Sequence, residues 1–211
     1  MASPQQLALR VLSLRAAPML IGYGLLPPAR RIIDQDVLRW QQALRRDERG
    51  VEALLLLLTA RSREFRNLYY HRLTHQGGPL GQVLAVVTGL VFRPEATLFL
   101  DTAEIGPGLF IQHGFATMVA ARRIGANCWI NQQVTIGYDS FLGAPELEDD
   151  VVVSAGAMVL GSVHLGKGAH VGAGAVVTRD VPAGMVAVGV PARNREPGPN
   201  ARAHGPQATA T

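Results

Sequence analysis

From Thr97 onward the chain repeats an aliphatic residue every six positions, and that period leaves few folds open to it. Ile105 and Ile111 begin the series, and Ile124, Ile130 and Ile136 continue it. Leu147, Val153, Val159, Leu165, Val171 and Val177 then form an unbroken run. A six-residue period suits neither an amphipathic helix nor an alternating strand. It suits a parallel β-helix, in which short strands stack coil on coil and turns recur at fixed offsets. Two further features stay in phase. The residue after each aliphatic is often small (Gly106, Gly125, Gly137, Ser154, Gly166, Gly172), and the residue four positions on is small or β-branched, as at Cys128, Val134, Ala157, Ala169 and Ala175. The aliphatic side chains are expected to point inward and the small residues to occupy tight corners. A dinucleotide-binding reading fails, because the Gly-rich stretches repeat and no long helices separate them.

The phase breaks twice. Ile111 to Ile124 is thirteen residues, and Ile136 to Leu147 is eleven. Loops leave the coil at such breaks, and loops carry function. The first break holds His113 and the second runs through Tyr138-Asp-Ser-Phe-Leu-Gly-Ala-Pro145.

Ahead of the repeats the apolar period is helical. Ile32, Ile33, Val37, Trp40 and Leu44 form one stripe, Val51 to Leu58 a second segment, Phe65, Leu68, Tyr69 and Leu73 a third, and Leu84, Val87 and Leu90 a fourth. Pro27–Pro28 and Gly77–Gly78 separate segments. The fold class expected is α+β: a helical domain over residues 1–93, a parallel β-helix over 94–193, and a Pro/Gly/Ala-rich disordered tail over 194–211.

Composition narrows the function classes. Residues 1–93 carry 13 Arg against 6 Asp and Glu, while residues 94–211 carry 7 Lys and Arg against 10 acids. The basic half reads first as a solvated helix face. No nucleic-acid motif or basic stripe with interleaved aromatics accompanies it, so nucleic acid is not expected as a partner. The single cysteine, Cys128, excludes an internal disulfide and favours a cytoplasmic setting. No run reaches the ~20 apolar residues of a membrane span. Leu7 to Leu26 leaves peripheral membrane contact open. Six histidines without close ligand spacing give no expected metal site.

The run from Glu104-Ile-Gly-Pro-Gly-Leu-Phe-Ile-Gln-His-Gly114 to Gly189-Val-Pro-Ala-Arg193 resembles bacterial serine acetyltransferases and, more closely, their relatives that O-acetylate sugars of surface polysaccharides. The carrying motifs are Gln112-His113-Gly114, Val134-Thr-Ile-Gly137, Ser154-Ala-Gly-Ala157, Gly172-Ala-Gly-Ala175 and Val177-Thr-Arg-Asp-Val-Pro182. Glu64-Phe-Arg-Asn-Leu-Tyr-Tyr70 also looks like a segment found ahead of the repeats in such relatives. The resemblance implies a left-handed, three-sided β-helix and a homotrimer with active sites between subunits, or a dimer of trimers joined through the helical domains. It also implies acetyl-CoA as co-substrate, with no metal.

A hydroxyl is a poor nucleophile at neutral pH, and a neutral imidazole can take its proton as it attacks a thioester. His113 matches the family's catalytic histidine. The carboxylate that orients such a histidine falls in the family register on Leu98, and Asp101 is the nearby substitute. Ala155, Gly156, Ala173 and Gly174 match positions lining the pantetheine arm. Thr178 and Arg193 match those at the nucleotide end, where a guanidinium suits a phosphate. Ala144 stands where serine acetyltransferases have a second histidine, and Gln112 where they have an acidic residue. A zwitterionic serine needs charged partners, whereas a neutral hydroxyl needs only hydrogen bonds, which Gln112, Tyr138 or Asp139 offer. The expected acceptor is therefore a small-molecule hydroxyl of a saccharide. L-serine is the first alternative and a non-catalytic β-helix binding protein the second.

Overall fold

The computed structural model describes residues 19–138 and 143–198. Helical backbone over residues 19–25 leads into α1 (Pro27–Leu44), α2 (Gly50–Leu56), a π-helical turn (Leu57–Arg61), α3 (Arg63–Gln76) and α4 (Gly78–Val91). Fifteen short strands follow, from β1 (Leu98–Leu100) to β15 (Arg193–Arg195). They fall into three sheets, whose orders are β1-β4-β7-β10-β13, β2-β5-β8-β11 and β3-β6-β9-β12-β14-β15. We call these faces A, B and C. Each strand pairs in parallel with its counterpart one coil away, except that β15 returns antiparallel along β14. That pairing carries order through Arg195, two residues past the boundary expected at residue 193. Residues 1–18, which hold most of the apolar stretch from Leu7, and residues 199–211 lie outside the described residues.

The sequence period becomes three inward columns. Leu100, Val119, Ile136, Val159 and Val177 stack on face A. Ile105, Ile124, Leu147, Leu165 and Val181 stack on face B. Ile111, Ile130, Val153, Val171 and Ala187 stack on face C. The small residues between them, such as Cys128, Ala157, Ala169 and Ala175, are fully buried as well. Coils approach closely where face B turns into C. A Cβ added to Gly106 would lie 2.6 Å from the Gly125 carbonyl carbon, and one on Gly125 would lie 2.5 Å from Asp149 N.

The helices cover the open first coil. Trp40 donates from Nε1 to the Leu109 carbonyl at 2.9 Å. Its ring meets Phe65 and Phe110 edge-on, with centroids 5.1 and 4.8 Å away. Beneath it Asp36 and Arg72 form a buried ion pair that also bonds the first B–C corner. In α4 the stripe of Leu84, Val87 and Leu90 is not the buried face. Gly81, Ala85 and Thr88 face inward instead, and Leu90 is 75% exposed. The reason is close packing on α3: a Cβ on Gly81 would fall 2.1 Å from the Leu73 carbonyl oxygen, so only the small-residue side can seat.

His71 is buried and its Nε2 donates to the Thr102 carbonyl at 2.6 Å. Burial pushes the imidazole down from 6.5 to about 4, against the opposing effect of the Thr102 carbonyl. The unfolded chain therefore binds a proton at a pH where the folded chain does not. Stability from this source is complete above pH 6.5 and is lost as the pH falls from there toward 4. His71→Gln keeps a donor for Thr102 and removes the titration, so it is expected to flatten that acid slope. Urea midpoints between pH 7 and 4 check this, and equal slopes in the two proteins would remove His71 as the cause.

Candidate active site

The hexad cannot absorb extra residues without pushing backbone out of the coil. On the inward columns Ile111 to Val119 is eight positions and Val119 to Ile124 is five. The first phase break thus resolves into two residues gained at the corner from face C to face A and one lost at the next corner. His113 and Gly114 stand at the gain, between β3 (Phe110–Gln112) and β4 (Thr117–Val119). His113 is exposed and held at φ +61°, with Ala116 at +50°. Non-glycine residues seldom sit in this left-handed region, and they gather at functional sites. Ala116 N–H donates to Thr97 Oγ1 at 3.0 Å, which anchors the far side of the corner.

The same corner repeats up the coil. Gln133 N–H donates to Phe115 O at 3.1 Å, Gly156 N–H to Gln132 O at 3.1 Å, and Gly174 N–H to Ala155 O at 2.9 Å. Four of the six residues assigned to CoA, Ala155, Gly156, Ala173 and Gly174, therefore share one edge of the prism with His113. Gly156 and Gly174 take φ of +69° and +66°, and an added Cβ on Gly174 would meet nothing within 4 Å. The glycines serve the turn, and the surface outside them is flat and open. Thr178 and Arg193 line one cavity of about 530 Å³ with Arg179, Pro191 and Asn194 at the last coil. One coil lower, Ser154 Oγ lies 2.9 Å from His170 Nε2. His170 is thus tied to the wall and half-buried.

The remaining assignments separate. Asp101 follows β1 at the opposite end of face A from His113, about 10 Å of strand away at 3.3 Å per residue. Its N–H bonds Val119 O at 2.8 Å. It cannot orient His113 within one chain. Tyr138, 61% exposed, follows β7 at that same far end. Asp139 lies outside the described residues. Gln112, half-buried at the end of β3, adjoins His113 and pairs in register with Asn131.

Sequence reasoning missed a contact that Glu64 makes at the His113 corner. A Cβ on Gly114 would lie 2.9 Å from Glu64 Cγ, 2.9 Å from Ile111 Cγ2 and 3.1 Å from Leu98 Cδ2. The first turn of α3 therefore packs on the backbone next to His113. The available signal was the segment Glu64–Tyr70 itself, since nothing local marks a contact across fifty residues. Among the described residues no group of three or more His, Cys, Asp or Glu is placed to hold a metal.

Residues 144–179 match the bacterial transferase hexapeptide family (six repeats). The chain is 36% identical over 148 residues to a serine acetyltransferase of Helicobacter pylori, a match that covers 68% of this chain and 80% of that one. It is 38% identical over 130 residues to a serine acetyltransferase of Synechococcus elongatus, covering 60% of this chain and 50% of that one. The chain spans about half the length of the first curated relatives it matches, 50% and 51% for those of Synechococcus and Bacillus licheniformis. Among solved structures, soybean serine acetyltransferase complexed with serine superposes with a TM-score of 0.62 at 27% identity, covering 85% of this chain and 74% of that one.

Proposed function

Since the chain belongs to the serine acetyltransferase family, we propose that it transfers an acetyl group from acetyl-CoA to a hydroxyl, with L-serine as the acceptor. This reverses the acceptor order taken from Gln112 and Ala144, because the matching relatives carry the name serine acetyltransferase rather than that of a saccharide enzyme. The observation that carries the reading is the shared edge: His113 on its two-residue insertion stands at the foot of the open turns at Ala155–Gly156 and Ala173–Gly174.

In this scheme the pantetheine arm lies along that edge, with the nucleotide end in the cavity of Thr178 and Arg193. Neutral His113 takes the hydroxyl proton, the oxygen attacks the thioester carbonyl, and the tetrahedral intermediate collapses to ester and CoA thiolate. The imidazolium returns its proton to the thiolate. Gln112 hydrogen-bonds the acceptor. Tyr138 leaves on the far side of face A, so it serves only a site shared with a neighbouring subunit. That fits a homotrimer. The uncharged outer stripe of α4, with Leu80, Val83, Val87 and Leu90 exposed, fits a dimer of trimers through the helical part. The organisation that accompanies it is a helical domain over residues 1–93 and an acyltransferase domain over 94–193. No helix among the described residues is long and apolar enough to cross a membrane, and a cytoplasmic setting suits the acetyl donor.

Steady-state kinetics with acetyl-CoA tests the acceptor. With L-serine, kcat/KM is expected at about 10⁴ M⁻¹s⁻¹ or above, the ordinary enzyme range. Poor serine turnover beside efficient acetylation of a sugar or nucleotide-sugar would restore the saccharide reading. No CoA release with any acceptor would leave a binding protein.

A further inference from the structure

We infer that Glu64, on the helical half of the chain, is the positioning carboxylate of His113. The inference rests on the acetyl-transfer reading and names a residue for it. An imidazole base gains from a carboxylate that fixes one ring N–H, leaves the other nitrogen free to accept a proton, and stabilises the imidazolium that forms.

The His113 corner offers few carboxylates. β3 contributes Gln112, and the β1 position beside Gly114 is held by Leu98, which carries no charge. Asp101 stands at the other end of face A. Glu95, in the connection before β1, spends Oε1 on the N–H and O–H of Thr97 at 3.2 and 2.9 Å. Arg66, two residues from Glu64, is turned to the carbonyls of Leu58 and Arg93 at 2.6 and 2.7 Å. Glu64 is left. Its Cγ packs on Gly114, it is half-buried, and its carboxylate makes no hydrogen bond or ion pair among the described residues. A half-buried carboxylate is costly unless something completes it; the charge of Glu64 reaches Arg66 through space, and His113, the residue before Gly114, is exposed at the corner on which Glu64 packs. In the reacting enzyme the His113 ring would turn one N–H toward this open carboxylate, while the other ring nitrogen takes the hydroxyl proton.

A structural role has to be separated from this one, because an acid in the first turn of a helix also favours the helix dipole. The full chain is compared with Glu64→Gln and Glu64→Asp by three measurements: thermal unfolding, pH profiles of kcat and KM for the acceptor, and NMR titration of the His113 ring signals identified through His113→Ala. For Glu64→Gln we expect kcat to fall about 10- to 100-fold with acceptor KM changed less than about threefold. The acid limb should move to lower pH and the His113 ring titration should move with it, because removing a negative neighbour disfavours the imidazolium. Glu64→Asp should recover part of each. An unchanged His113 midpoint, or a loss confined to acceptor KM, would overturn the inference. If the wild-type chain transfers no acetyl group, the functional reading fails by itself, and the NMR titration still decides whether Glu64 and His113 are paired.

Discussion

His113→Ala is expected to lower turnover by about 10²-fold or more, the usual range for a lost general base, while CoA affinity barely changes. The separation follows from the fold. The turns assigned to the pantetheine arm begin higher on the same edge, at Ala155–Gly156 and Ala173–Gly174, and are held by backbone bonds from coil to coil, such as Gly174 N–H to Ala155 O at 2.9 Å. The His113 side chain takes no part in those bonds. Its own backbone sits at φ +61°, where asparagine is better tolerated than alanine. His113→Asn is therefore the cleaner variant: it keeps the left-handed corner and removes the base. Turnover on the true acceptor, set beside calorimetric CoA binding, separates chemistry from assembly. Near-normal turnover in both variants would take His113 out of the mechanism.

How much of this was legible in the sequence depends on the range of the forces involved. The inward columns repeat because each coil sets the same constraint on the next, so a one-dimensional period reports them directly. Val119 escaped that period because the insertion at His113–Gly114 and the shortening after it shift the phase in opposite directions; only their sum, thirteen residues, is visible from Ile111 to Ile124. The α4 stripe was misassigned because a helix with no charge on any face gives periodicity little contrast. There the decision fell to backbone approach at Gly81, which favours the smallest side chains. Asp101 lies close to Leu98 in sequence, yet a three-residue strand carries it to the opposite corner. Glu64 and Gly114 meet only because α3 crosses the open first coil, and no local pattern encodes that crossing.

The crossing itself is fixed by the pair Asp36–Arg72, and breaking it is the second large effect expected. Both side chains are buried, at 1% and 0% exposure. Arg72 Nε donates to Asp36 Oδ2 at 2.8 Å and Nη2 to Oδ1 at 3.1 Å, the two-pronged geometry in which guanidinium and carboxylate bind best. The remaining hydrogen-bonding capacity is spent on the first coil. Arg72 also donates to the carbonyls of Ile105 and, at 2.7 Å, Gly106, and Asp36 accepts the Gly108 N–H at 2.7 Å. One pair thus joins α1, α3 and the first B–C corner. Arg72→Met would leave a buried carboxylate with a single backbone donor and two carbonyls unmet, and should cost about 3–5 kcal/mol of unfolding free energy. Asp36→Leu should cost a similar amount by stranding the guanidinium. The double variant Asp36→Leu, Arg72→Met removes both charges, and an apolar replacement of a buried pair is often close to neutral. Here recovery should be incomplete, because the Gly108 N–H and the Ile105 and Gly106 carbonyls remain buried without partners at about 1–3 kcal/mol each. Urea unfolding of the four proteins gives the coupling free energy directly. Additive losses, or single variants within about 1 kcal/mol of wild type, would mean that the aromatic packing of Trp40 on Phe65 and Phe110 holds α3 across the coil without the ion pair.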